Sequence, residues 1–127
     1  MREEFERTGL LLGEEGVNRL QNAHVAVFGV GGVGGFAVEA LARAGVGTLT
    51  IVDHDTVSPS NINRQIVADH STVGQLKVKI MEERIHKINP RCKVIVRDCF
   101  YLPENAETFR FEDHDYIIDA IDTVTGK

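Results

Sequence analysis

Four short apolar runs, rich in β-branched residues, are set apart by longer polar stretches: "HVAVFG" (24–29), "TLTIVD" (48–53), "CKVIVRD" (92–98) and "YIIDAI" (116–121). Their length and composition predict four strands. Over residues 33–44 the period changes, and Phe36, Ala37, Ala40, Leu41 and Ala44 recur at helical spacing to give a broad apolar face. Glu39 and Arg43 stand four apart and can pair along that helix, and Gly45 is placed to end it. A second helix over 75–89 carries Leu76, Ile80, Met81, Ile85 and Ile88 on one stripe and stops at Pro90. A shorter helix is expected over 15–22 and a weak one over 104–109.

Strands alternating with helices imply a parallel sheet with right-handed crossovers. The expected class is α/β, a Rossmann-like doubly wound, mainly parallel sheet with helices on both faces. The 127 residues form one nucleotide-binding domain, and the chain stops about where such a sheet enters another helix, so it is expected to be the N-terminal part of a longer domain.

Composition narrows the class without deciding the function. Hydrophobic residues at 43% and charged ones at 26% suit an ordinary globular domain, and no apolar run approaches the roughly 20 residues that span a bilayer. The opening "MREEFERTGLLLGEE" is too acidic for a secretory signal, so a cytoplasmic location is expected, with no membrane partner. Cys92 and Cys99 form no CxxC pair and are expected to be idle thiols. The net charge of −5 weighs against a nucleic-acid surface, yet residues 77–97 carry seven of the 14 basic residues against two acids. That strip could meet an anionic partner, or be a solvated helix face with its neighbouring strand.

"GVGGVG" (29–34) lies between the first strand and the first long helix. Gly29 permits a tight turn, Gly31 and Gly32 let backbone N–H groups approach a phosphate, and Gly34 lets helix and strand pack closely. Asp53, nineteen residues beyond Gly34, can accept both hydroxyls of a ribose. A bound NAD would need little more. ATP carries further charge, and Arg64 in "SPSNINRQ" (58–65), Lys77, and Asp122 as a magnesium ligand could meet it. Singly, each could be an ordinary surface or strand-end residue; together they border the carboxyl ends of the strands, where ligands bind in such sheets.

"GVGGVGG", "IVDHDTVSPSNINRQ", "VGQLKVKIMEERIHKINP" and "DYIIDAID" resemble, in order and spacing, the adenylating domain of ubiquitin-activating enzymes and of bacterial relatives that activate sulfur-carrier proteins. The opening "FERTGLLLGEEGVNRLQNAHVAVFGVGGVG", "EALARAGVG" and "NINRQ" resemble the branch acting on the threonylcarbamoyl group of a modified adenosine in tRNA. The resemblance implies ATP held by the glycine loop, Asp53 on the ribose with Asp55 also on the nucleotide, Lys77 on phosphate and Asp122 on magnesium. It also implies that Asn61 and Arg64 contact nucleotide, Arg64 across a homodimer interface. One departure is Gly35, where relatives often carry serine. The implied reaction adenylates a carboxylate and expels pyrophosphate. A sulfur carrier's C-terminal glycine as substrate, an NAD-dependent dehydrogenase and an inactive nucleotide-binding module remain open alternatives.

Overall fold

The β-branched runs form strands in the computed structural model, which describes residues 6–98 and 115–120. Four parallel strands make one sheet in the order β3-β2-β1-β4. Strands β1 (His24–Phe28) and β2 (Thr48–Val52) lie inside, and β3 (Lys93–Arg97) and β4 (Tyr116–Asp119) form the edges. β1 pairs with β2 from His24 opposite Thr48 to Phe28 opposite Val52, and with β4 from Val25 opposite Tyr116 to Phe28 opposite Asp119. The winding therefore reverses between β1 and β4, and a crevice at the carboxyl ends of these strands is where such sheets bind ligands. The expected α/β, Rossmann-like class holds. The predicted helix over 104–109, Cys99 and Asp122 lie outside the described residues.

Helices α1 (Glu6–Asn22), α2 (Gly32–Ala44) and α3 (Lys77–Ile88) complete the described elements, with a 3-10 turn at Pro59–Asn61. Val27, Val38, Leu49, Ile51, Val78 and Ile85 are fully buried between the strands and helices α2 and α3. Each such side chain contributes about 1.5–3 kcal/mol relative to exposure. Between α2 and α3, the Arg84 guanidinium donates to the Glu39 carboxylate, and Arg43 stands 3.6 Å from the same group. The Arg84 hydrogen bond is the chief reason the Glu39 carboxyl is held below its usual range. Asn89 Nδ2 adds a 3.4 Å bond to the Ala42 carbonyl, so both helices lie on one face of the sheet.

Two expectations are corrected, and one is extended. The helix expected over 15–22 is present after a break at Gly13 (φ 77°, ψ 167°), and a further helical stretch starting at Glu6 precedes it. Ahead of that break Leu10 and Leu11 are 86% and 87% exposed, so no burial pattern marks this turn as helix in the sequence. On α2 the buried positions are Gly34, Gly35, Val38 and Ala42, while Phe36 is 58% exposed. Glycine, invisible to a count of apolar side chains, brings the backbone closest and so chooses the buried face. The third helix starts at Lys77 because Leu76 is extended: the Val57 N–H donates to the Gln75 carbonyl at 2.8 Å and Thr56 bridges Leu76.

At Gly34 a Cβ would lie 1.6 Å from the Gly29 carbonyl oxygen, whereas at Gly32 it would meet nothing within 4 Å. Gly34→Ala is therefore expected to cost more than about 3 kcal/mol in urea unfolding, or to prevent folding. Gly32→Ala should stay within about 1 kcal/mol of the wild type. Equal midpoints for the two variants would contradict this packing.

Candidate functional site

The chain leaves β1 at Gly29, whose φ of 90° suits glycine, and the Gly29 N–H donates to the Val52 carbonyl at 2.7 Å. The next N–H, of Val30, donates to Asp53 Oδ2 at 2.9 Å, and the Asp55 N–H donates to Asp53 Oδ1 at 2.9 Å. One carboxylate thus ties the glycine loop to the segment after β2. Gly31 stands at the N-cap of α2, and among the described residues no side chain caps that helix. Its first-turn N–H groups keep their partial positive charge beside the open space at Gly32. At Gly35 a Cβ would sit 3.0 Å from the Val30 carbonyl oxygen, so any side chain there would need the loop to shift slightly.

Asp55 holds Lys77 at two points. Its carbonyl accepts the Lys77 N–H at 3.0 Å, and its Oδ2 lies 3.8 Å from Lys77 Nζ. Lys77 is only 6% exposed, and among the described residues no hydrogen bond reaches its ammonium. The ammonium has Asp55 as its partner and is placed to take an incoming anion as a second. Asp55 Oδ1 also lies 3.0 Å from His54 Nε2.

Asp53, His54 and Asp55 have ligand atoms within 4.8 Å of one another. The arrangement does not suit magnesium: Asp53 is engaged by backbone amides, Asp55 by His54 and Lys77, and imidazole is a poor ligand for that hard cation. The magnesium expectation stays with Asp122, outside the described residues.

The polar loop closes on itself and then on the glycines. The Asn61 N–H donates to the Ser58 carbonyl at 3.0 Å, and the Ser58 N–H donates to Asn61 Oδ1 at 2.9 Å, so Asn61 is buried as a clasp of its own turn. Its Nδ2 is what it can offer a ligand. Arg64 Nη1 donates to the Ser60 carbonyl and to Asn63 Oδ1, both at 2.9 Å, and the side chain is exposed. The structure therefore brings Gly31, Asp53, Asp55 and Lys77 into one linked group and leaves the Arg64 head on its own loop. Sequence reasoning passed over Gln65, whose side-chain amide lies against Gly31. The strip over 77–97 is no uniform basic face, because Lys77 is buried and Arg84 is tied to Glu39. Cys92 is a free, buried thiol that burial pushes up to about 11, in keeping with an idle role.

The family description "ThiF family" matches residues 5–127. The chain belongs to the ThiF family. This ThiF chain is 52% identical over 127 residues to the tRNA threonylcarbamoyladenosine dehydratase of Bacillus subtilis, covering 100% of the chain and 50% of that relative. It matches the crystal structure of the Escherichia coli tRNA N6-threonylcarbamoyladenosine dehydratase, TcdA, in complex with ATP, with a TM-score of 0.95 at 45% identity. That match covers 98% of this chain and 51% of the other. The molybdopterin-synthase adenylyltransferase of Salmonella typhimurium is 40% identical over 111 residues, 87% of this chain and 44% of that relative. The chain spans about half the length of the curated relatives it matches. The resemblance drawn from the glycine loop, "SPSNINRQ" and the strand ends is thereby met.

An asparagine at 53 can accept only one of the two N–H groups, since its amide nitrogen would face the other. Asp53→Asn should therefore speed hydrogen exchange at the Val30 or the Asp55 amide about tenfold or more. The Val27 amide, inside β1, serves as the unaffected reference; unchanged exchange at both amides would refute the clasp.

Proposed function

We propose that this chain is the ATP-binding part of an enzyme that adenylates a carboxylate, that of the threonylcarbamoyl group on an adenosine of tRNA. The observation that carries the reading is Lys77, a residue 6% exposed whose ammonium makes no hydrogen bond among the described residues, linked through Asp55 and Asp53 to a helix N-terminus that no described side chain caps. A triphosphate brings charge that a dinucleotide lacks, and this cation beside the glycine loop meets it. The Bacillus subtilis and Escherichia coli relatives supply the choice of substrate. Among the described residues no helix is long and apolar enough to cross a membrane, in keeping with an enzyme working on cytoplasmic tRNA.

In this reading the substrate carboxylate attacks the α-phosphorus of ATP, the bond to pyrophosphate breaks, and an acyl-adenylate forms. Ring closure then expels AMP, for a net dehydration. Each Asp53 oxygen accepts one N–H and keeps a lone pair for a ribose hydroxyl. Lys77 neutralises phosphate charge that grows as pyrophosphate leaves, stabilising the transition state more than the bound substrate. Asn61 Nδ2 donates to the nucleotide, and Asp122 would hold a magnesium ion, whose charge would help to offset that of the phosphates. Arg64, exposed and outside the group around Lys77, serves the ATP of a second copy in a homodimer, a pairing supported by the apolar surface at Leu10 and Leu11. The Salmonella typhimurium relative favours a second reading, in which the same residues adenylate the C-terminal glycine of a ubiquitin-like sulfur carrier.

Pyrophosphate exchange in the intact protein separates the readings: stimulation by tRNA bearing threonylcarbamoyladenosine supports the first, stimulation by a sulfur carrier alone the second. Lys77→Ala is expected to lower the exchange rate by about 10²–10³ with the fold retained; an undiminished rate would remove Lys77 from the site.

Mixing Arg64→Ala with Asp53→Ala subunits is expected to restore part of the activity that each lacks alone. Absence of rescue would put the Arg64 contact within one subunit.

A further inference from the structure

Gln65 is held firmly by its backbone: its N–H donates to the Asn61 carbonyl at 2.9 Å and its carbonyl accepts the Ala68 N–H at 3.1 Å. Its side chain reaches back across 34 residues of sequence to the glycine loop. The position a Cβ on Gly31 would take lies 3.1 Å from Nε2 and 3.2 Å from both Cδ and Oε1, so the amide presents its flat side to Gly31. Oε1 is buried and, among the described residues, accepts no hydrogen bond. A buried carbonyl oxygen left without a donor is unfavourable, and a native structure tends to keep such a group for a purpose.

Phosphate oxygens cannot satisfy it, because at neutral pH they are acceptors as Oε1 is. The ribose hydroxyls have acceptors in Asp53, and the adenine amine is carried on the far side of the ribose from the phosphates that Gly31 faces. What remains is a donor on the second substrate, whose carboxylate must come within attacking distance of the α-phosphorus, close to Gly31. Both substrates considered above are N-acyl α-amino acids: a threonylcarbamoyl group and a C-terminal glycine each carry an N–H on the carbon next to the carboxylate. We propose that Gln65 is a substrate-positioning residue whose Oε1, stacked over Gly31, accepts the N–H adjacent to the reacting carboxylate. The inference rests on the adenylation reading and deepens it by giving the substrate class, an N-acylated α-amino acid with a free N–H.

The test is Gln65→Met, which keeps the length and packing of the side chain and removes the acceptor. With tRNA bearing threonylcarbamoyladenosine, the KM for tRNA is expected to rise about tenfold, the worth of one hydrogen bond. The Kd for ATP with magnesium should stay within about twofold, the binding site for phosphate being untouched. The urea midpoint of the free protein should be equal or higher, because the variant loses an unpaired buried oxygen. An unchanged KM for tRNA, an ATP affinity weakened as much as the tRNA term, or a lowered urea midpoint would overturn the assignment. The first makes Gln65 a bystander, the second gives its amide to phosphate, and the third makes it packing alone. No pyrophosphate exchange in the wild type with either substrate would instead overturn the adenylation reading, and this inference with it.

Discussion

The Asp53 carboxylate accepts the Val30 N–H with one oxygen and the Asp55 N–H with the other, and both halves of the site hang from that pair of bonds. Hydrogen bonds to a charged group are worth about 1.5–3 kcal/mol each. Fixing the backbone of one residue costs about 1–2 kcal/mol. Two such bonds are therefore enough to order the short stretch around Val30 and the turn after β2. Strand pairing provides the rest, since the Gly29 N–H and the Asp53 N–H continue the ladders of β1 and β2 for one residue beyond the strands.

From Asp53 the order passes outward through Asp55, whose carbonyl and carboxylate both attend to Lys77. Because Lys77 opens α3, the register of that helix and the depth of its ammonium are set together. Arg84, two turns along, fixes α3 to α2 through Glu39, and α2 begins at the glycine loop. The site is thus framed by a closed ring of contacts running from the loop through both helices and back to β2.

Much of this was readable beforehand. The four strands, the parallel class, the glycine loop and the aspartate at the end of β2 follow from local composition and spacing, which operate over a few residues. What escaped depended on contacts between distant segments. The buried face of α2 was misassigned because Gly34 and Gly35 carry no apolar side chain to count, although their closeness to Gly29 and Val30 decides the packing. The start of α1 escaped because Leu10 and Leu11 are exposed and Gly13 interrupts the period. Lys77 read as a nucleotide contact, but its burial could not be known without the bridge between Thr56 and Leu76. Gln65 gave no signal at all, since nothing in "SPSNINRQ" says which of its side chains turns inward.

Gly31 suits the approach of a phosphate, and the space its side chain would fill is also closely bounded by the Gln65 amide. Positions 31 and 65 are therefore coupled: a methyl group at 31 displaces the Gln65 amide by a few tenths of an ångström, and shortening residue 65 removes that pressure. A glycine fingerprint in such a fold records two demands at once, and the same letter would persist in a descendant that had lost its nucleotide but kept its glutamine.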